Sequence, residues 1–130
     1  MKGYLTNIEK ATLENTDFRR VLYTGKNSQL VLMSIAVGEE IGEEVHTLDQ
    51  FIRFEQGTAK VVLDGVEQEA GADYAVVIPA GCVHNVINSG DNELKLYTVY
   101  SPPEHQDGIV RHTKKDAEEQ EEHFDGKTTE

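Results

Sequence analysis

Two short stretches of the chain carry side chains whose types and spacing suit chemistry. Residues 43–50 read EEVHTLDQ, and residues 79–88 read PAGCVHNVIN. Glu44 and His46 stand two apart, so on an extended chain their side chains face the same way. Gln50 reaches that face after a tight turn through Thr47, Leu48 and Asp49. His84 comes far later, three residues after Gly81. Two segments that each bring a histidine to a strand end can converge on one point inside a barrel, a common way to build a ligand or metal site. Glu43 competes with Glu44 as the acidic donor, but only Glu44 shares the His46 face. Asp49 is the substitute donor if Glu44 points away.

The elements that must position these residues are short β-type runs separated by turn signals. FRRVLYT ends at Gly25-Lys26-Asn27, and QLVLMSIAV follows, which suits a hairpin. FIRFEQG leads to Gly57. TAKVVLDGVEQEA contains Asp64-Gly65, a strong type I′ turn signal. YAVVIP, CVHNVIN and ELKLYTVYS complete the series before Pro102-Pro103. Strands of this length and spacing predict an all-β sandwich or barrel, and no βαβ alternation is present. The expected organisation is an N-terminal extension over 1–17, able to supply an edge or swapped strand, a barrel over 18–103, and an acidic tail over 104–130. Within the tail, DAEEQEEHF is either a short helix or unfolded.

Composition narrows the partners. The 130 residues hold 24 acidic against 12 basic side chains, a net charge of −12. The basic residues are scattered and form no stripe, so neither nucleic acid nor an anionic membrane is an expected partner. Cys82 is the only cysteine, which rules out an internal disulfide and fits a reducing compartment. The start MKGYLTNIEK has no apolar run, and no stretch approaches the roughly 20 apolar residues of a membrane span. A cytoplasmic protein is expected.

In this register the sequence resembles the cupins. The first cupin motif is glycine, five residues, histidine, one residue, histidine, three or four residues, glutamate, six residues, glycine. Counted back from Gly57, Gln50 takes the glutamate place, His46 the second histidine place, Glu44 the first histidine place and Gly38 the opening glycine. In the second motif Pro79, Gly81, His84 and Asn88 match, while Asp73 stands where the family has glycine. The YSPPEH run after the last strand is similar to that of small single-domain cupins. The resemblance implies a double-stranded β-helix (jelly-roll) barrel, commonly a homodimer, with its site in the barrel mouth. It also implies a divalent metal (Mn, Fe, Ni or Zn) held by Glu44, His46, Gln50 and His84. Two imidazoles and one carboxylate form a triad that suits non-haem iron, zinc or manganese. Gln50, a weak neutral donor, is a ligand or else a catalytic hydrogen-bonding partner for substrate or a bound water.

Two functions follow as expectations. One is a metal-dependent enzyme, of dioxygenase or isomerase type, acting on a small organic acid, diketone or sugar-like substrate. The other is a non-catalytic small-molecule-binding barrel, favoured by the exchange of glutamate for glutamine and of histidine for glutamate. Among the remaining candidates, His105 is expected to be a solvated loop residue, and His112 and His123 to be exposed in the tail. Cys82 is expected to be buried packing. Tyr97 and Tyr100 point to opposite faces of the last strand, so one of them looks inward. Phe51 and Arg53 share one face of their strand and Ile52 and Phe54 the other.

Overall fold

The computed structural model describes all residues 1–130. Nine strands and two short helices follow one another as α1 (Ile8–Glu14), β1 (Arg19–Thr24), β2 (Gln29–Ile35), β3 (Asp49–Gln56), β4 (Thr58–Leu63), β5 (Val66–Gly71), β6 (Ala75–Ile78), β7 (His84–Asn88), β8 (Leu94–Ser101), β9 (Val110–Arg111) and α2 (Lys114–Glu119). They form a six-stranded sheet in the order β6-β3-β8-β2-β1-β9 and a three-stranded sheet in the order β5-β4-β7. All pairings are antiparallel, as expected for a jelly roll. No helix is long and apolar enough to cross a membrane.

Turn chemistry explains the connections. Asp64 and Gly65 both hold positive φ (47° and 82°) between β4 and β5, the two-residue loop that the Asp-Gly pair signals. Gly57 sits at φ +95°, and a Cβ there would meet the Glu93 carbonyl oxygen and the Leu94 Cα at 3.1 Å. Asp73, in place of the motif's glycine, still takes φ +72°. Aspartate tolerates this left-handed conformation better than most residues. Its carboxylate also accepts a 2.9 Å hydrogen bond from Arg53.

Alternation along the strands divides inside from outside. On β3, Gln50, Ile52 and Phe54 are buried while Phe51, Arg53 and Glu55 are only half-buried, so the first set lines the interior. On β8 the inward series is Leu94, Leu96, Thr98 and Tyr100, and on β7 it is His84, Val86 and Asn88. Register places Gln50 opposite Tyr100 and Phe54 opposite Leu96. The interior therefore grades from apolar around Phe54, Leu94, Leu96 and Ala59 to polar around Gln50, Thr98, Tyr100 and His84. Hydrophobic burial holds the first end together, and the second end carries the chemistry.

The N-terminal extension differs from expectation. Residues 8–14 form a helix, not an edge strand. Asn7 caps it, its side chain accepting from the Lys10 amide. α1 packs on β2, β3 and β8, which explains why both faces of β2 are buried. Within the tail, residues 114–119 are helical, with Thr113 as N-cap. The chain then returns to the barrel: the Phe124 amide donates to the Glu104 carbonyl and the Thr129 amide to the Thr24 carbonyl.

Candidate functional site

The segment before β3 brings the first donors to the polar end. Residues 40–46 run antiparallel beside β7 without forming a regular strand. The Ile41 amide donates to the Val86 carbonyl, and Glu44 and His84 exchange both backbone hydrogen bonds at 2.9 Å. The Gly42 amide donates to the Asn85 side chain. Beyond the bridge, the His46 carbonyl accepts from the Gly81 amide, which ties the first motif to the turn of the second. Glu44 and His84 are thus cross-strand neighbours, and β3 begins three residues after His46.

The side chains meet as the spacing suggested. The His46 and His84 ring centroids lie 4.9 Å apart. His46 Nε2 contacts Glu44 Oε2 at 2.7 Å. His84 Nδ1 lies 3.0 Å from the Cys82 carbonyl oxygen. A carbonyl only accepts, so Nδ1 carries a proton and Nε2 is the ring atom left for a ligand. Gln50 donates its amide Nε2 to Thr98 Oγ1 at 3.0 Å, which leaves its own oxygen buried without a partner. His46 Nδ1 is also buried without a partner. The two unpaired atoms are neighbours, since Gln50 acts as a hydrogen-bond acceptor that helps to raise the His46 pKa, and a small shift of either side chain would pair them.

Glu44 and His46 each favour the charged form of the other. Burial works against the charged imidazole of His46, but the hydrogen bond and charge of Glu44 outweigh it and raise its pKa. The same contact, helped by the charge of Arg19, overcomes burial at Glu44 and lowers that pKa. Tyr100, fully inside, stays a neutral phenol because burial pushes its pKa far up. Its ring stands edge-on to both His46 (5.9 Å) and His105 (5.2 Å).

His105 is a correction to the sequence reading. It is 7% exposed rather than solvated. Its Nδ1 lies 2.9 Å from Glu122 Oε1, its backbone amide donates to Gln29, and its Nε2 is buried without a partner. Burial lowers its pKa despite the hydrogen bond to Glu122, so the ring is neutral and donates from Nδ1. The pairing spans 17 residues and depends on the tail folding back, and no local pattern announced it. Asp49, the substitute donor, is used elsewhere: it accepts from the Ala80 amide at 2.9 Å and braces the turn before His84. Glu43 is exposed. His112 and His123 are exposed as expected, each leaning on a carboxylate, Asp17 and Glu104 respectively. Cys82 is buried.

A cavity of about 270 Å³ opens between this end of the barrel and the tail, with Glu44, Arg19 and His105 among its walls. As a potential metal centre the donors fit in kind: two imidazoles, a carboxylate and an amide oxygen. Their arrangement is not that of a ready cage. No three His, Cys, Asp or Glu side chains are placed to hold an ion as they stand, since Glu44 and His46 are spent on each other.

Comparison with known proteins agrees with this architecture. A family model described as the cupin domain matches residues 31–100. YrkC of Bacillus subtilis is 46% identical over 123 residues, which cover 89% of this chain and 66% of that protein. The chain therefore spans about two thirds of that relative's length. L612 of Acanthamoeba polyphaga mimivirus is 43% identical over 113 residues, covering 82% of this chain and 70% of that protein. The crystal structure of BH2720 from Bacillus halodurans superposes with a TM-score of 0.90 at 45% identity, over 92% of this chain and 96% of that one. The antiparallel barrel, the paired motifs and these relatives agree: the chain belongs to the cupin family.

Proposed function

We propose that the polar end of the barrel is a metal-dependent active site for a small organic acid, diketone or sugar-like molecule. Glu44, His46 and His84 would hold the ion, with Gln50 Oε1 as a fourth, weaker donor or as the group that orients substrate. The observation that carries this reading is the orientation of His84: the Cys82 carbonyl accepts a hydrogen bond from Nδ1–H, which leaves Nε2 as the free atom of a ring 4.9 Å from that of His46. Metal-bound histidines are oriented in this manner by a carbonyl or carboxylate on the far nitrogen. The Glu44–His46 pair supports it too, because a hydrogen-bonded imidazole and carboxylate can give up their shared proton to a divalent cation.

A bound divalent ion supplies Lewis-acid polarisation or an open coordination position, which serves isomerase and dioxygenase chemistry alike. The chain's own residues do the rest. Thr98 holds the Gln50 amide so that its oxygen faces inward, Tyr100 shields the imidazoles from water, and the Glu44 carboxylate can accept or return a proton at Oε2. A second reading, a non-catalytic binding barrel, is favoured by one observation: no three side chains are placed to hold an ion as they stand.

Metal analysis of protein purified without chelator separates the two. The expected result is roughly one ion per chain, lost in His84→Ala while the fold persists, because binding needs each strong donor. Wild-type protein that carries no metal and takes up none of Mn, Fe, Ni or Zn on addition would sink the enzyme reading and leave the binding barrel.

A further inference from the structure

We propose that the guanidinium of Arg19 anchors a small monocarboxylate in the cavity beneath the C-terminal tail. This rests on the reading that the barrel mouth takes a small molecule, and it names that molecule's class. Arg19 opens β1 and is half-buried, its Cζ 5.5 Å from the centre of the Phe18 ring. It lines the cavity together with Glu44 and His105. In a chain with twice as many acids as bases it makes no ion pair, and Nε is buried with no hydrogen-bond partner. Lys2, Lys26 and Lys127 also lack a carboxylate, but these are exposed to water. A half-buried guanidinium with unused donors is a ready receptor for a planar anion.

The walls are acidic by count, yet each inner carboxylate has a contact other than Arg19. Glu44 faces His46, Glu104 faces His123, and Glu122 lies between His105 and Arg111. The carboxylates left over, Glu43 and Glu121, are exposed. Each inner carboxylate thus has a contacting partner, whereas Arg19 Nε has none. Register adds a second pointer: Arg19 stands directly opposite Arg111 on β9. Like charges directly opposite disfavour strand pairing; Glu122 contacts Arg111 at 3.4 Å and reaches Arg19 only through its longer-range charge. An anion on Arg19 relieves that repulsion.

The ligand's other features follow from the same walls. The negative rim disfavours dianions such as phosphate esters. About 270 Å³ admits a body of a few carbons, with Phe18, Ile41 and Ala117 as its apolar contacts. His105 Nε2, nine-tenths buried and without a partner, is an acceptor that a ligand hydroxyl can satisfy.

The test is a titration of chelator-treated full-length protein with 2-hydroxybutanoate, followed by the NMR signal of the Arg19 Nε–H group. A saturable shift is expected with the acid. Its neutral isostere, 2-hydroxybutanamide, should bind at least tenfold more weakly, and Arg19→Gln should lose the acid by a similar factor, with Arg19→Lys in between. Equal affinity for acid and amide, undiminished binding in Arg19→Gln, or no saturable shift would overturn the proposal. If Arg19→Gln fails to fold, the acid-versus-amide comparison on wild-type protein decides. Because metal is excluded from the titration, carboxylate binding without metal uptake retires the metal reading alone. Metal uptake without a carboxylate shift retires the anchor alone.

Discussion

At the scale of single residues, the informative position is Gln50, where a neutral amide replaces the family's carboxylate. Its nitrogen is given to Thr98 and its oxygen is left over, so the amide is held in one orientation and offers an acceptor. Gln50→Glu tests what that acceptor meets. The new carboxylate adds a strong donor, and we expect divalent-metal affinity to rise by about tenfold or more, read by competition with a chromophoric chelator. Without metal the same variant is expected to be less stable by about 1–3 kcal/mol, because a buried charge is added near the Glu44 carboxylate. Metal affinity equal to wild type would mean that position 50 does not face the ion. The histidines and Glu44 were legible because same-face spacing is a property of extended chain. The role of His105 was not, since its partner Glu122 is set by tertiary return of the tail.

At the scale of elements, the strands were readable and their boundaries nearly so. Alternating apolar residues and turn pairs such as Asp64-Gly65 are local signals, and each produced a strand or hairpin where expected. The misses have physical causes. α1 carries too few apolar residues for a clear helical stripe, and it owes its place to packing on β2, β3 and β8. β9 is two residues long and exists by pairing with β1. The turn closing the first motif is the place to test local constraint. Gly57→Ala forces a side chain into a left-handed conformation and into contact with the Glu93 and Leu94 backbone. A loss of about 2 kcal/mol or more is expected from the denaturant midpoint. Gly38→Ala, at φ +80° but with nothing within 4 Å, should cost less. Equal losses at the two sites would mean that the close approach behind Gly57 does not matter. In the core, Ile52→Ala, fully buried, is expected to cost about 2–5 kcal/mol in the same measurement.

At the scale of the whole molecule, His46 and His105 pull the pH dependence of stability in opposite directions. His46 has a raised pKa. Its contribution is fully present below its unfolded value, about 6.5, and is lost as pH rises through the folded value. His105 has a lowered pKa. Below about 6.5 the unfolded chain takes up a proton that the folded site refuses, so stability falls as pH drops toward the folded value. The groups around His105 are the Glu122 and Glu104 carboxylates, the Arg19 guanidinium and the neutral Tyr100 phenol. Glu122, whose own lowered pKa comes from overcoming burial through His105, Arg19 and Arg111, adds its loss only at more acidic pH. The His46 effect therefore acts above about pH 6.5 and the His105 effect below it, so the wild-type curve declines on both sides of that pH without showing which group is responsible. Single substitutions uncover them. His105→Gln removes the acid-sensitive member, so its unfolding free energy should hold up better than wild type as pH falls from 6.5 to 5. Glu44→Gln removes the support for charged His46, so that variant should lose stability faster over the same range and less on the alkaline side. Urea unfolding at several pH values reads both slopes. A His105→Gln curve parallel to wild type would mean that the tail does not keep this imidazole dry, and the closed mouth with its Arg19 cavity would have to be redrawn as open to solvent.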